Sequence, residues 1–568
     1  MNRSAYNTHN SDSSYHFRMQ MKSPFFGFWL HFDSKGVLCY EWRIMIKISS
    51  AQVVGLDAKS VDIEVDLSSG LHVFSIVGLA DKEIQESRER IGSAIRNIGA
   101  RPPHKKAERV IINLSPADLK KEGPAFDLPI ALGYLLASGQ ARFVPDGRMF
   151  VGELGLDGAI KKVSGILPIA ILARKAGMKE IFVPKGNGLE ASLVEGVGVY
   201  EVGHILELLD FLEGRREINR FRGDPFAAFV SAENSFEFDF AHIKGQDTAK
   251  RAIEIAAAGN HNLLMEGPPG TGKTVLARSI PTVLPGMTRE EIIEVTKIYS
   301  VAGALKERGG AVVTRPFRSP HHSASAISVT GGGTVIKPGE ITMAHRGVLF
   351  LDEFPEFQRP VLEALRQPLE ERNITIARAQ GSETFPADFM LVAAQNPCPC
   401  GNMNNPRKEC VCAPGAISKY RRKISGPLLD RIDLYIEVPA VEYAKLEECR
   451  TETGGFQSES SPMRDRVEKA REIQRKRFEE DASAKRGSAR LAANSEMTSR
   501  LIKKHCPLDD ESKKLLKHAY DEYTLSPRSY FRIIKVARTI ADLSASEHIG
   551  ATHISEALQF RPKNDAYV

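Results

Sequence analysis

The feature that most constrains this chain is the stretch from Leu263 to Thr274, Leu-Leu-Met-Glu-Gly-Pro-Pro-Gly-Thr-Gly-Lys-Thr. Leu263 to Met265 is an apolar run that predicts a short buried strand. The turn from Gly267 to Gly272 follows, and Lys273-Thr274-Val275-Leu276-Ala277 opens a helix. Strand, G-x-x-x-x-G-K-[ST] loop and helix in that order form a phosphate cradle. Glycines let backbone N–H groups point inward at phosphate oxygens, and a helix N-terminus favours an anion. Lys273 is placed to reach the β- and γ-phosphates, and the Thr274 hydroxyl to ligate Mg²⁺. Gly267, Pro268, Pro269, Gly270, Thr271, Gly272, Lys273 and Thr274 are therefore the candidate nucleotide-binding residues.

A glycine-rich turn without a ligand is the competing reading, and a second motif argues against it. Gly347-Val348-Leu349-Phe350-Leu351-Asp352-Glu353 has four apolar residues in a row, as a strand buried on both faces of a parallel sheet does. Such strands deliver polar residues at their C-terminal ends, where open α/β sheets bind ligands. Asp352 is expected to hold the Mg²⁺ shell and Glu353 to polarise the attacking water. Together the motifs imply ATP binding and hydrolysis.

With 568 residues the chain has room for several domains, each with its own core. No apolar stretch approaches the roughly 18 residues of a membrane helix, so no membrane partner is expected. The net charge of +6 permits nucleic acid binding without arguing for it. Seven cysteines, four of them clustered, do not form a disulfide framework in so long a chain, and a reducing cytoplasm fits. Residues 1–44 are rich in Ser, Asn, His and aromatics and hold both tryptophans, Trp29 and Trp42. They are expected to be a disordered extension or an upstream start-site artefact, with Met45 a plausible start.

Residues 45–215 predict an α/β unit. Strands are expected at 61–67, 72–77 and 109–114, and helices at 82–98 and 127–137, from period-two and helical spacing. Lys121-Glu122-Gly123-Pro124-Ala125-Phe126-Asp127, then Gly152-Glu153-Leu154-Gly155-Leu156-Asp157-Gly158, then Ala170 to Lys185, resemble the proteolytic domain of Lon proteases. The resemblance implies a ribosomal S5-like α/β fold. That family's serine falls at Ala125 here and its lysine at Leu167. Lys161 and Lys162 lie nearby but have no nucleophile to activate, so no protease activity is expected.

Residues 216–240 look like a linker, and 241–440 like an AAA+ ATPase core. Asp247 is expected to cap the helix through Ala258. Ile243, Gly245 and Gln246 resemble the segment that packs near adenine in AAA+ proteins, which makes Ile243 and Gln246 nucleotide contacts by resemblance. Asn396, ending the strand from Phe389, fits sensor 1. Arg431, in Leu428-Leu429-Asp430-Arg431-Ile432-Asp433, resembles the arginine finger that reaches a neighbouring subunit's γ-phosphate. Arg528, at the start of a lid helix, fits sensor 2. These roles imply an oligomer, with a hexameric ring the AAA+ expectation.

Arg315 to His322 and the stretch 374–386 resemble the helix-2 insert and pre-sensor-1 hairpin of magnesium-chelatase-like AAA+ proteins. Adjacent histidines rarely converge on one ion, so His321 and His322 are not expected to bind metal. Cys398, Cys400, Cys410 and Cys412 suit tetrahedral zinc, although C-x-C is tighter than the usual spacing; free thiols are the alternative. A flexible loop is expected at 452–461, within a region 441–568 that carries the helical lid. The motif Asp542-x-Ser544-x-Ser546 falls in that lid.

From residue 45 onward the order of parts resembles the YifB/ComM family: a Lon-like α/β domain, then an AAA+ P-loop NTPase parallel-sheet core, then a helical lid. The resemblance implies an ATP-driven DNA motor, acting in branch migration during recombination or natural transformation on single-stranded or branched DNA. Arg378 and Lys337 are candidate DNA contacts. The alternative is a magnesium-chelatase-type or protein-remodelling ATPase acting on a protein partner. Against a true chelatase motor stands the Lon-like domain, which that motor is expected to lack.

Overall fold

The computed structural model describes residues 17–19, 27–32, 38–43, 46–70, 73–103, 108–223, 238–305, 310–333, 336–378, 381–403, 405, 408–440, 458–482, 491, 493–523 and 525–562. Most of the expected linker, 224–237, and the loop up to 457 fall outside them, as does the side chain of Arg378. The chain divides into two compact units, Met1–Pro225 and Phe226–Val568.

In the first unit, β1 (Phe17–Met19), β2 (Gly27–Phe32) and β3 (Leu38–Arg43) pair as an antiparallel sheet inside the N-terminal extension. A seven-stranded mixed sheet follows. Its strands are β4 (Ile46–Val54), β5 (Asp57–Ser69), β6 (Val73–Val77), β7 (Glu108–Ser115), β8 (Arg148–Phe150), β9 (Glu180–Pro184) and β10 (Gly198–Val202), in the order β10-β9-β8-β4-β5-β7-β6. Along β5 the expected alternation holds: Val61, Ile63 and Val65 are buried while Asp62, Glu64 and Asp66 are half-buried. Helix α1 (Lys82–Asn97) buries Ile84, Ile91, Ala94 and Ile95, and its cap Asp81 accepts the Ile84 N–H at 2.8 Å. Helix α2 (Asp127–Ala137) is buried from Asp127 to Leu135 against β4 and β5. Gly133 is required there, because a Cβ would lie 2.8 Å from Val65 Cγ2. Ala125 offers no nucleophile, and Leu167 is fully buried in α3 (Ile166–Lys175).

The second unit is built on a fully parallel sheet. Its strands are β11 (Leu263–Glu266), β12 (Phe317–Arg318), β13 (Val348–Leu351), β16 (Met390–Gln395) and β17 (Leu434–Glu437), in the order β12-β13-β16-β11-β17. All residues of β13 and β16 are buried, as their unbroken apolar runs require. The hairpin expected before Phe389 is formed by β14 (Asn373–Arg378) and β15 (Gly381–Pro386). Helix α5 (Asp247–Gly259) differs at its start. Gln246, left-handed at φ +61° after Gly245 at +63°, occupies the cap, and Asp247 is the first helical residue. The carboxylate still falls in the first turn, where the helix dipole favours it.

Helices α10 (Ser460–Ala482), α11 (Asp510–Glu522), α12 (Pro527–Leu543) and α13 (Ala551–Gln559) form the C-terminal part, with α10 and α12 packed on α5. Asp542 is structural: its carboxylate accepts from Arg477, Arg538 and Asn494. At the sheet edge the close approach of β12 and β13 depends on Gly347. A Cβ there would lie 2.0 Å from the Pro316 carbonyl oxygen. Gly347→Ala is expected to destabilise the second unit by about 1–3 kcal/mol through forced backbone displacement, read as a lower denaturation midpoint of that unit's transition.

Candidate nucleotide site

Parallel register decides which polar residues meet. Glu266 pairs with Gln395 across β11 and β16, and Leu351 with Ala393 across β13 and β16. The next residues along, Gly267, Asp352 and Asn396, therefore emerge side by side at one end of the sheet. The loop from Gly267 turns on Gly270 and Gly272, at φ +78° and +89°, where open space replaces the missing side chains. Thr271 Oγ1 donates to the Pro268 carbonyl at 3.0 Å and stiffens the turn.

Helix α6 (Lys273–Ser279) begins at the loop's end. Lys273 is buried, and its ammonium donates to the Gly267 and Pro268 carbonyls at 2.6 and 2.8 Å and to Asn396 Oδ1 at 3.3 Å. Burial pushes its pKa down, while Asp352 and Glu266 pull it back up. Thr274 Oγ1 donates to Asp352 Oδ2 at 2.7 Å, and the other Asp352 oxygen accepts the Glu353 N–H at 2.9 Å. A cation, a hydroxyl and a carboxylate thus converge beside the Gly267–Gly272 loop. This donor set fits a nucleoside triphosphate with Mg²⁺, which Thr274 and Asp352 would hold. Of the residues expected near adenine, Ile243 is buried. Gln246 donates to the Pro439 carbonyl at 2.7 Å, beside Val438, whose carbonyl packs against Gly267.

Arg431 and Arg528 do not join this set. Both guanidiniums bind Glu370 in α8 (Arg366–Glu371), Arg528 at 2.7 Å. Arg431 is only 3% exposed, and its carbonyl accepts from Asn262, the residue just before β11. The pair therefore sits at the N-terminal end of the sheet, one strand length or about 13 Å from the phosphate loop. Glu370 is held below the usual carboxylate range, chiefly by its bond to Arg431. No sequence signal pointed to Glu370. A second missed residue is His322, whose Nδ1 lies 2.9 Å from Glu353 Oε2. The strand that leads to it is only two residues long and carries no periodic signal that would place it beside Glu353.

The four cysteines form one cluster, with all sulfurs within 4.8 Å of one another. Sγ–Sγ distances are 3.4 Å for Cys398 and Cys400, 3.6 Å for Cys398 and Cys410, and 3.7 Å for Cys400 and Cys410. The Cys400 and Met403 N–H groups donate to the sulfurs of Cys412 and Cys398. Within this loop Gly401, at φ +77°, packs so tightly on the nucleotide loop that a Cβ would lie 2.7 Å from Pro269 Cδ.

Comparison with known proteins gives this arrangement a family. The chain is 42% identical to "Competence protein ComM" of Haemophilus influenzae, over 90% of this chain and 97% of that protein. It is 39% identical to YifB of Escherichia coli, over 90% and 96%. The chain belongs to the YifB/ComM family. Three family models match along it: "Magnesium chelatase, subunit ChlI" at 239–446, "Subunit ChlI of Mg-chelatase" at 63–187 and "Magnesium chelatase, subunit ChlI C-terminal" at 457–561. The 67 kDa magnesium-chelatase subunit of Chlorobaculum parvum is 26% identical over 28% of this chain and 23% of its own length. This YifB/ComM member is thus an ATP hydrolase of the magnesium-chelatase-like AAA+ class and not a protease. No helix among the described residues is long and apolar enough to cross a membrane.

Lys273→Ala is expected to reduce ATP hydrolysis by at least about 100-fold, the scale on which one aligned electrostatic donor acts. Steady-state phosphate release, with far-UV circular dichroism to show that the fold survives, checks this.

Proposed function

We propose that the chain is a magnesium-chelatase-type motor that uses ATP hydrolysis to remodel a protein partner. The observation that carries this reading is the reach of the chelatase models across both units. The 63–187 segment, whose presence was expected to argue against a chelatase motor, itself matches a model with that description. Its motifs and its mixed sheet favour a Lon-like, S5-like fold that serves as scaffold or docking domain.

A DNA motor in competence is the second reading, favoured by the identity to the ComM protein over nearly its whole length. Lys337, exposed on the short ladder Lys337–Pro338, is a candidate phosphate contact in that case. Under either reading the motor is a homo-oligomer, a hexamer by AAA+ analogy. Arg431 and Arg528, remote from their own Lys273, then act on a neighbour's nucleotide after leaving Glu370. The cysteine cluster holds one structural Zn²⁺. Tetrahedral Zn–S bonds of about 2.3 Å imply S–S separations of about 3.8 Å, close to the 3.4–3.7 Å found in the cluster, whereas a disulfide needs about 2.05 Å. The ion ties the segment after Asn396 to the loop at Pro269.

Steady-state ATP hydrolysis by the full chain, with and without single-stranded and branched DNA, separates the two readings. A rate that DNA changes by less than about 2-fold is expected of the protein remodeller. A rise of about 10-fold or more that disappears at high salt, as phosphate contacts require, assigns the DNA motor instead. For the metal, elemental analysis is expected to find one zinc per chain. Cys412→Ser is expected to lose it and to weaken nucleotide binding as well as thermal stability.

A further inference from the structure

The second unit holds a cleft of about 720 Å³ between the segment after β13 and the helix that follows the cysteine loop. One wall is the turn Phe354–Glu356 with helix α7 (Arg359–Ala364). The other is helix α9 (Pro414–Arg421) and the residues up to Ser425. Among the described residues, its lining includes neither the phosphate loop nor Asp352, Glu353 or Asn396.

Charge in the cleft is unequal. Lys423 on one wall pairs with Glu356 on the other at 2.7 Å, and Glu363 pairs with Arg366 at 3.0 Å. With both acids compensated, the cations Arg359, Lys419 and Arg422 remain, all three exposed. Among the described residues the side chains of Lys419 and Arg422 have no hydrogen-bond or ion-pair partner. Helix stability does not account for this placement. Lys419 and Arg421 in the last turn of α9 suit its dipole, but Arg359 opens α7, where the dipole disfavours a cation. Opposite helix ends thus bring the same sign of charge to one cleft, and such a cleft concentrates anions.

Spacing and composition select among anions. Lys419 and Arg422 are three residues apart, so their Cβ atoms lie about 5–6 Å apart on one face of α9. In an extended peptide, side chains two residues apart share a face at about 6.6 Å. Carboxylates at alternate residues therefore match the pair. A nucleic acid strand fits less well. Glu356 and Glu363 in the walls oppose a continuous line of phosphates. Among the described lining residues the one aromatic ring, Phe357, is 4% exposed and offers no face on which a base could stack.

We propose that this cleft binds an extended acidic segment of a partner protein, with carboxylates at alternate residues on Lys419 and Arg422 and a further one on Arg359. The choice of a protein occupant rests on the protein-remodelling reading given above.

The test uses the full chain and a fluorescein-labelled heptapeptide of alternating glutamate and serine. Fluorescence anisotropy at low ionic strength, where exposed charges are least screened, gives the Kd. Lys419→Ala/Arg422→Ala is expected to weaken binding by ~3- to 30-fold, the scale of two exposed ion pairs, and Arg359→Ala by ~2- to 5-fold. Lys419→Arg/Arg422→Lys, which keeps both charges, is expected to retain the parental Kd. Arg174→Ala/Lys175→Ala, a pair of exposed cations on α3 in the first unit, is expected to leave it within about 2-fold. ATP hydrolysis without peptide is expected to match the parent throughout. No saturable binding by the parent chain below about 1 mM, or an equal loss in the α3 control, overturns the proposal. An oligothymidylate titrated in parallel separates the occupants: a larger loss for it than for the peptide in Lys419→Ala/Arg422→Ala assigns the cleft to nucleic acid and also overturns the proposal. Stimulation of hydrolysis by DNA, with peptide binding still lost in that variant, overturns the remodelling reading alone and upholds the cleft as a peptide site.

Discussion

The parallel register of β11, β13 and β16 is the constraint on which the rest of the second unit depends. These strands are buried on both faces, so their side chains can only be apolar in the middle, and chemistry is confined to the two ends. One end collects Gly267, Asp352 and Asn396, and one hydrogen bond, Thr274 to Asp352, closes the set. The other end collects Asn262, Asp433 and the arginines on Glu370. A sheet of this length separates the two ends by more than an arginine side chain spans. The same sequence therefore carries a phosphate-binding end and an arginine-bearing end that cannot serve one nucleotide within a single subunit. On the role proposed for these arginines, stacking one end of a subunit on the other end of the next would bring both to one nucleotide.

Two elements press on the phosphate loop from outside the sheet, and each limits a different residue. The chain after β17 limits Gly267 by the Val438 carbonyl, and the cysteine loop limits Pro269 through Gly401. The insert reaches past the loop to Glu353 through His322. A phosphate cradle must keep its N–H groups aimed inward while remaining open to the ligand. Rigid backing at Gly267 and Pro269, combined with unobstructed glycines at 270 and 272, meets both demands. Metal in the cysteine loop would stiffen the backing without adding any group to the cradle.

Most of the secondary structure was legible because local pattern and burial agree. The period-two run at Val61–Leu67, the helical spacing of Ile84, Ile91 and Ile95, and the unbroken apolar runs before Asp352 and Asn396 all appear as expected. So does the encounter of Lys273, Thr274, Asp352 and Asn396, since their motifs state the strand ends on which they stand. What was not legible depends on pairing between distant segments. His322 reaches Glu353 only because β12 is the neighbour of β13 in this register, and two residues of strand give no periodic signal. Glu370 lies on a six-residue helix and binds arginines 61 and 158 residues away; nothing local marks it. The cap of α5 went to Gln246 because two successive left-handed residues turn the chain one position before the acidic one.

The first unit shows why a motif that resembles a protease can persist without its chemistry. Asp127 is fully buried and takes both guanidinium branches of Arg90, at 2.8 and 3.0 Å, together with the Leu154 N–H. Lys121, also buried, donates to the Pro116 carbonyl. Gly152 donates to the Ala125 carbonyl at 3.0 Å, a backbone tie between the same two motif stretches. Removing one partner from a buried charge pair leaves the other uncompensated, which typically costs about 3–5 kcal/mol. Gly123, at φ +84°, cannot take a side chain without strain. Fold stability therefore maintains Lys121, Gly123 and Asp127 whether or not a nucleophile follows Pro124. At positions 125 and 167, where the resemblance places a serine and a lysine, the chain holds an alanine and a fully buried leucine.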